Sequence, residues 1–147
     1  MNILLADDHD LVRETLAAFI QAEGNITVDT VEDLDGAVKR IEDGNAYDLV
    51  LLDYTMPGMN GLSGLARAME AQDGRPVAIM SGTATKDIAQ SAMDAGAIGF
   101  LPKTLPAKSL VNAVRFMAAG ETYVPVAFLT AEEAENDNPL AKKLSQR

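Results

Sequence analysis

The chain has 147 residues, with 12 Lys/Arg against 22 Asp/Glu, a formal net charge of −10, 48% hydrophobic residues and no cysteine. That size and apolar content suit one globular domain with some chain to spare, and the lack of cysteine excludes a disulfide framework, a thiolate metal site and a thiol nucleophile. The charge excludes the clustered positive surface that nucleic acid demands, so no nucleic-acid partner is expected for this chain alone.

The excess charge sits in residues 1–60, which hold 13 Asp/Glu and 3 Lys/Arg, while residues 61–147 balance at 9 of each. No apolar run approaches the ~18 residues of a membrane span. The opening "MNILLADDHD" has no basic stretch before its apolar run, so it does not read as a secretory signal. A cytoplasmic protein without a membrane partner is expected.

In chain order, short apolar runs alternate with helical patterns. "NILLA" (2–6) reads as a strand, and 10–23 as a helix carrying Val12, Leu16, Phe19 and Ile20 on one face, stopped at Gly24. "ITVDTV" (26–31) is a second strand, and 34–43 a helix facing Leu34, Ala37, Val38 and Ile41 inward. Strands follow at "LVLL" (49–52), "VAIM" (77–80) and "IGFL" (98–101), separated by Ala-rich helices over 62–72 and 86–95. A last helix, 107–119, aligns Leu110, Val111, Val114 and Met117 and ends at Gly120. Five strand–helix alternations call for an α/β fold: a doubly wound, five-stranded parallel sheet with helices on both faces. From Glu121 onward the period is lost, and residues 121–147 read as a linker or tail in which "AEEAE" could form a short helix.

Ligands of open parallel sheets bind beyond the carboxyl ends of the strands. There the sequence places Asp7 and Asp8, Asp53, Ser81 and Lys103. Three carboxylates repel one another, and a divalent cation relieves that repulsion. Oxygen ligands without Cys or His favour Mg²⁺. The metal and Lys103 would make an anion site beside Asp53, and the anion that fits a metal, a lysine and a hydroxyl is a phosphoryl group. A carboxylate can be its nucleophile, giving an acyl phosphate.

These segments, "LLADDH", "LLDYTMPGMNG", "IMSG" and "GFLPKT", together resemble the receiver domain of two-component response regulators. "GAIGFLPKT" and the downstream "GETYVP" are most similar to the LuxR/NarL/FixJ-like subfamily. The resemblance covers residues 1–120 and implies the flavodoxin-like receiver fold. It implies that Asp53 is the phosphoacceptor for a sensor histidine kinase. Mg²⁺ would be held by Asp8, Asp53 and the backbone carbonyl of Thr55, with Asp7 acting through water. Lys103 would contact the phosphoryl group, and Ser81 and Phe100 would form the switch. Such a protein assists its own phosphorylation and dephosphorylation and is not otherwise an enzyme. The resemblance further implies a phosphorylation-dependent homodimer and a transcriptional output through a DNA-binding helix-turn-helix, which "KKLSQR" approaches but this chain does not contain. A stand-alone receiver acting through other proteins is the alternative. The family often has Pro after its lysine, with a cis bond before that Pro. Thr104 follows Lys103 here, which leaves that loop's geometry open.

Plainer roles compete residue by residue. Asp7 and Asp8 could cap the first helix, Phe100 could be simple core, and Met69, Met80, Met93 and Met117 read as core filler. His9, the only histidine, reads as a loop residue near the pocket and not as a ligand. A haloacid-dehalogenase-type phosphatase would need a second Asp two residues after its nucleophile, and neither Asp53 nor Asp7 has one. A binding module that has lost phosphorylation is opposed by the intact acidic set and Lys103.

Overall fold

The computed structural model describes residues 1–83 and 85–125. The acidic and basic clusters of 126–147, the short helix read over "AEEAE" and the approach to a helix-turn-helix lie outside the described residues. Five strands, β1 (Asn2–Ala6), β2 (Thr27–Val31), β3 (Leu49–Asp53), β4 (Val77–Ser81) and β5 (Gly99–Pro102), alternate with α1 (Asp10–Ala22), α2 (Leu34–Glu42), α3 (Ser63–Gln72), α4 (Lys86–Asp94) and α5 (Ala107–Ala118). All strand pairs are parallel, in the order β2-β1-β3-β4-β5. The doubly wound architecture read from the alternation is therefore the one that forms, with boundaries within one or two residues.

Two apolar layers sandwich the sheet. On one face Leu4, Val50, Leu52, Ile79 and Phe100 meet α2, α3 and α4. On the other, Ile3, Leu5, Leu49, Leu51, Met80 and Leu101 meet α1 and α5. Central β3 and β4 are buried throughout, which is why "LVLLD" and "VAIMS" are nearly continuous apolar runs. β2 is an edge strand and mostly half-buried, so "TVDTV" carries Asp29 and two threonines. Met80 and Met117 are buried, and Met69 and Met93 pack partly buried against the core, as their helical and strand spacing implies.

The loop after β3 packs back on the helix that follows it. Gly64 N–H donates to the Met59 carbonyl at 2.7 Å. A Cβ at Gly64 would lie 2.8 Å from Met59 Cα and 2.9 Å from its carbonyl oxygen, backbone atoms that cannot step aside. Alanine would gain about 1 kcal/mol of helix propensity, but overpacking against fixed backbone costs about 1–3 kcal/mol. Gly64→Ala is expected to lower the unfolding free energy by denaturant titration; an equal or higher midpoint would contradict the clash.

The first residues of the segment read as a linker or tail pack back on the sheet. Tyr123 forms a parallel bridge with Gly99. Its N–H donates to the Ile98 carbonyl at 3.0 Å and its carbonyl accepts from Phe100 N–H at 3.1 Å. The backbone approaches this closely because residue 99 is glycine; a Cβ there would meet the Tyr123 carbonyl at 2.7 Å and crowd the Met117 sulfur. So the chain returns after Gly120 to cover the open edge of β5.

Candidate functional site

Parallel pairing delivers the chemistry-bearing residues to one edge. Asp7 N–H donates to the Val31 carbonyl at 3.1 Å, continuing the β1–β2 ladder one residue past Ala6. Tyr54 N–H does the same to Met80, at 2.8 Å, so Asp53 ends β3 with its backbone still in the sheet. Lys103 N–H donates to the Ser81 carbonyl at 3.0 Å and thereby ties the end of β5 to the end of β4.

Asp7, Asp53 and Ser81 are fully buried. Lys103 reaches in with its side chain 11% exposed, its Nζ 2.9 Å from Asp7 Oδ2 and 3.0 Å from Asp53 Oδ2. Asp8 stays at the mouth, its side chain 36% exposed. Above them lies a cavity of about 330 Å³ lined by His9, Val12, Thr55, Gly82, Thr83 and Lys103. Thr55 N–H and Oγ1 both approach Asp53 Oδ1, at 3.3 and 3.4 Å. Ser81 Oγ accepts from Thr83 N–H at 3.2 Å. Phe100 stands apart from the cavity, fully buried in the layer of α2, α3 and α4. Thus Asp7, Asp8, Asp53 and Lys103 converge, Ser81 adjoins them, and Phe100 sits in the core behind. No described peptide bond is cis, that between Lys103 and Thr104 included.

Neither Asp7 nor Asp8 caps α1. The N-cap is His9, which makes no side-chain capping bond. Asp7 Oδ1 instead accepts from His9 N–H at 2.9 Å, folding the acid back into the pocket. Arg13 Nη1 donates to the Asp7 carbonyl at 2.9 Å and Nη2 to Asp10 at 2.9 Å, fastening α1 to the loop.

The electrostatics separate the two buried acids. Burial raises the Asp53 carboxyl above its ordinary value; Lys103 opposes that, and the nearby charge of Asp7 adds to it. Burial works against Asp7 too, but the His9 N–H and the Lys103 ammonium outweigh it and hold Asp7 low. Asp7 Oδ2 and Asp53 Oδ2 are sealed from solvent and face the Lys103 ammonium at 2.9 and 3.0 Å. Two buried anions and one ammonium leave net negative charge, and with exposed Asp8 the donor set is hard oxygen with room for a cation. These residues fit a divalent metal.

His9, read from the sequence as a loop residue near the pocket, does line it. Its Nδ1 lies 3.0 Å from Asp7 Oδ1, 3.4 Å from Asp8 Oδ1 and 3.6 Å from Asp53 Oδ2, and 3.2 Å from Lys103 Nζ. Its place directly after Asp8 in "DDH" was the available signal.

The fully parallel five-stranded sheet thus carries two buried acids and a lysine at the carboxyl ends of its strands, an α/β domain with an acidic site at one sheet edge. The model of the response regulator receiver domain family matches residues 3–115, and the chain belongs to that family. It is 34% identical over 135 residues to the glycerol metabolism activator of Pseudomonas putida, spanning 90% of this chain and 61% of that protein. The chain therefore covers less than two thirds of that relative's length. Among solved structures, a LuxR family DNA-binding response regulator from Silicibacter pomeroyi superposes with a TM-score of 0.77 at 29% identity, covering 86% of this chain and 98% of that one. A LuxR family two-component response regulator from Aurantimonas sp. SI85-9A1 gives a TM-score of 0.79 at 26% identity, covering 92% and 96%. The chain is a receiver domain of the LuxR/NarL/FixJ-like kind, as the motifs implied.

Proposed function

We propose that Asp53 accepts a phosphoryl group from a sensor histidine kinase in the cytoplasm and that the acyl phosphate resets the surface formed by α4, β5 and α5. The observation that carries this reading is a fully buried carboxylate at the end of β3 with Lys103 Nζ at 3.0 Å and Asp7 beside it. An oxygen of Asp53 bonds to phosphorus as the bond from phosphorus to the donor's nitrogen or oxygen breaks, the electron pair leaving with the donor. Lys103, already aimed at Asp53, takes up charge on a phosphoryl oxygen. Asp8, Asp53 and the Thr55 carbonyl would hold Mg²⁺, with Asp7 acting through water. Bound there, the cation supplies positive charge to the other phosphoryl oxygens.

The switch follows from Ser81 and Phe100. Ser81 Oγ, now accepting from Thr83, would turn to donate to the phosphoryl group. Phe100 N–H is bonded to Tyr123, so movement of β5 reaches the chain beyond α5. Transcriptional output through a DNA-binding domain, and a phosphorylation-dependent homodimer, are supported by the likeness to LuxR family regulators. A stand-alone receiver acting on other proteins is the second reading. Acetyl phosphate with Mg²⁺ is expected to add one phosphoryl group, read by intact mass, and chelation of the metal to prevent it. Failure to label at any metal concentration would remove the proposal.

A further inference from the structure

We infer that the face made by α1 and α5 is where a second copy of this chain docks, α1 of each copy lying against α5 of the other. The inference rests on the reading above that this receiver pairs with itself, and it goes beyond that reading by naming the face.

The first observation is where apolar surface is left uncovered. A single exposed Leu or Phe is ordinary. Here, Met1 aside, the large hydrophobic residues that stand exposed among the described residues are Leu11, Phe19 and Phe116. Two lie on α1 and one on α5, and α2, α3 and α4 expose none. The two helices adjoin. Leu11 and Phe19 line a groove of about 330 Å³ together with Leu105 and Ala107, at the start of α5. At the other end Arg115 donates to the Gly24 carbonyl, just past α1, at 3.5 Å. So α1 and α5 run side by side in one direction. Thr15, Ala18 and Ala22 are small and leave beside Phe19 an open groove of about 500 Å³, room for an aromatic side chain.

The second observation is charge, and it says what covers the face. With its C-cap, α1 carries Asp10, Glu14 and Glu23 against Arg13. The Arg13 side chain is 11% exposed and bound to Asp10, Glu14 and the Asp7 carbonyl, so α1 presents net negative charge. α5 carries Lys108 and Arg115 and no acid. Neither base is paired with a carboxylate among the described residues.

A two-fold axis running along the pair of helices sets α1 against α5 of the second copy twice over. Acid then meets base at both contacts, whereas α1 on α1 or α5 on α5 would set like charges together. Phe19 and Phe116 are each the tenth residue of their helix, so the same operation brings the two aromatic rings to one level. A uniformly acidic or uniformly basic protein would suit one helix and be repelled by the other. A second copy suits both.

The test follows the mass of the whole chain by sedimentation equilibrium over a range of concentrations, with and without beryllofluoride and Mg²⁺. One variant makes α1 basic, Glu14→Lys with Glu23→Lys; another makes α5 acidic, Lys108→Glu with Arg115→Glu. All four positions are exposed, and circular dichroism checks that both variants are folded. Each variant alone is expected to self-associate at least about tenfold more weakly than wild type, because both of its contacts now set like charge against like. Mixed one to one, the two are expected to form the dimer again, since each then meets its opposite, and added salt to weaken that dimer. Phe116→Ala is expected to weaken the wild-type dimer by about tenfold or more, as loss of an aromatic anchor does. Undiminished dimers of either charge variant or of Phe116→Ala, or a mixture that stays monomeric, would overturn the face but leave self-pairing intact. A wild type that stays a monomer at every concentration in both conditions would remove self-pairing itself, and the face would then belong to a different protein.

Discussion

Asp53→Asn is expected to take up no phosphoryl group from acetyl phosphate and, in the metal-free protein at neutral pH, to unfold at a higher temperature than the wild type. The first half follows because an amide has no anionic oxygen to attack phosphorus. The second follows from burial. Asp53 is fully buried, and its carboxyl is raised above the ordinary 3.8, first by desolvation, against Lys103. A carboxyl whose folded value is raised is better tolerated protonated. Below 3.8 it is protonated in both states and no penalty exists. As pH rises through 3.8 the unfolded chain releases its proton first, so wild-type stability falls until the raised folded value is passed, and then stays lower. Asp7 has the opposite sign: its folded value is lowered, so its contribution is present above 3.8 and fades as pH falls. Asp7 and Asp53 share Lys103 and feel each other's charge, so the difference between the two proteins reports the titration of the pair, with Asp53 its raised member. That difference is expected near zero in acid, to grow through the carboxylate range, and to level off at a few degrees, about what 1 kcal/mol produces in a domain this size. A variant that is labelled would contradict the nucleophile assignment, and one that melts below wild type at neutral pH would contradict the burial argument.

Most of the framework was legible because it rests on local pattern. Continuous apolar runs such as 49–52 and 77–80 mark strands covered on both faces, and Val38 and Ile41 mark the buried stripe of α2. The convergence of Asp7, Asp8, Asp53 and Lys103 was legible too, since parallel strands end on one side and each residue stands at a strand's carboxyl end. What escaped depends on contacts between distant segments. That His9 meets Lys103, 94 residues away, is one such contact; its place after Asp8 announced only that it lies near the pocket. Tyr123 pairs with β5 because Gly99 has no side chain, and the space a Cβ would take is filled by the Tyr123 carbonyl and the Met117 sulfur; the single letters "G" and "Y" do not announce this. The competing role of Asp7 or Asp8 as a cap of α1 is not the one taken up, for a related reason. A short acid can bond the nearest N–H in several ways, and here Asp7 bonds that of His9 and stays in the pocket.

Lys103→Met is expected to produce the largest loss of stability, and one that conditions can reverse. The substitution keeps much of the aliphatic stem and removes the charge. Lys103 Nζ lies 2.9 Å from Asp7 Oδ2 and 3.0 Å from Asp53 Oδ2, and both acids are fully buried. Without it two adjacent buried carboxylates face each other with no Lys or Arg side chain paired to them among the described residues. Breaking a buried pair by removing one partner costs about 3–5 kcal/mol, far above the ~1 kcal/mol scale of an exposed pair. Three dependences follow from that cause. Lowering the pH into the carboxylate range should shrink the loss, since protonation removes the repelling charges. Mg²⁺ should shrink it as well, since a ligand of the folded state stabilises by mass action and the vacated charge favours a cation. Adding Asp53→Asn should restore much of the loss, because one of the two stranded anions is then neutral. The two substitutions are in contact and should be non-additive by more than 1 kcal/mol. Denaturant unfolding of the four proteins of this cycle, with and without Mg²⁺, measures all three. Additive losses, or a Lys103→Met protein as stable as wild type at neutral pH, would show that the lysine is not what makes the buried acids tolerable.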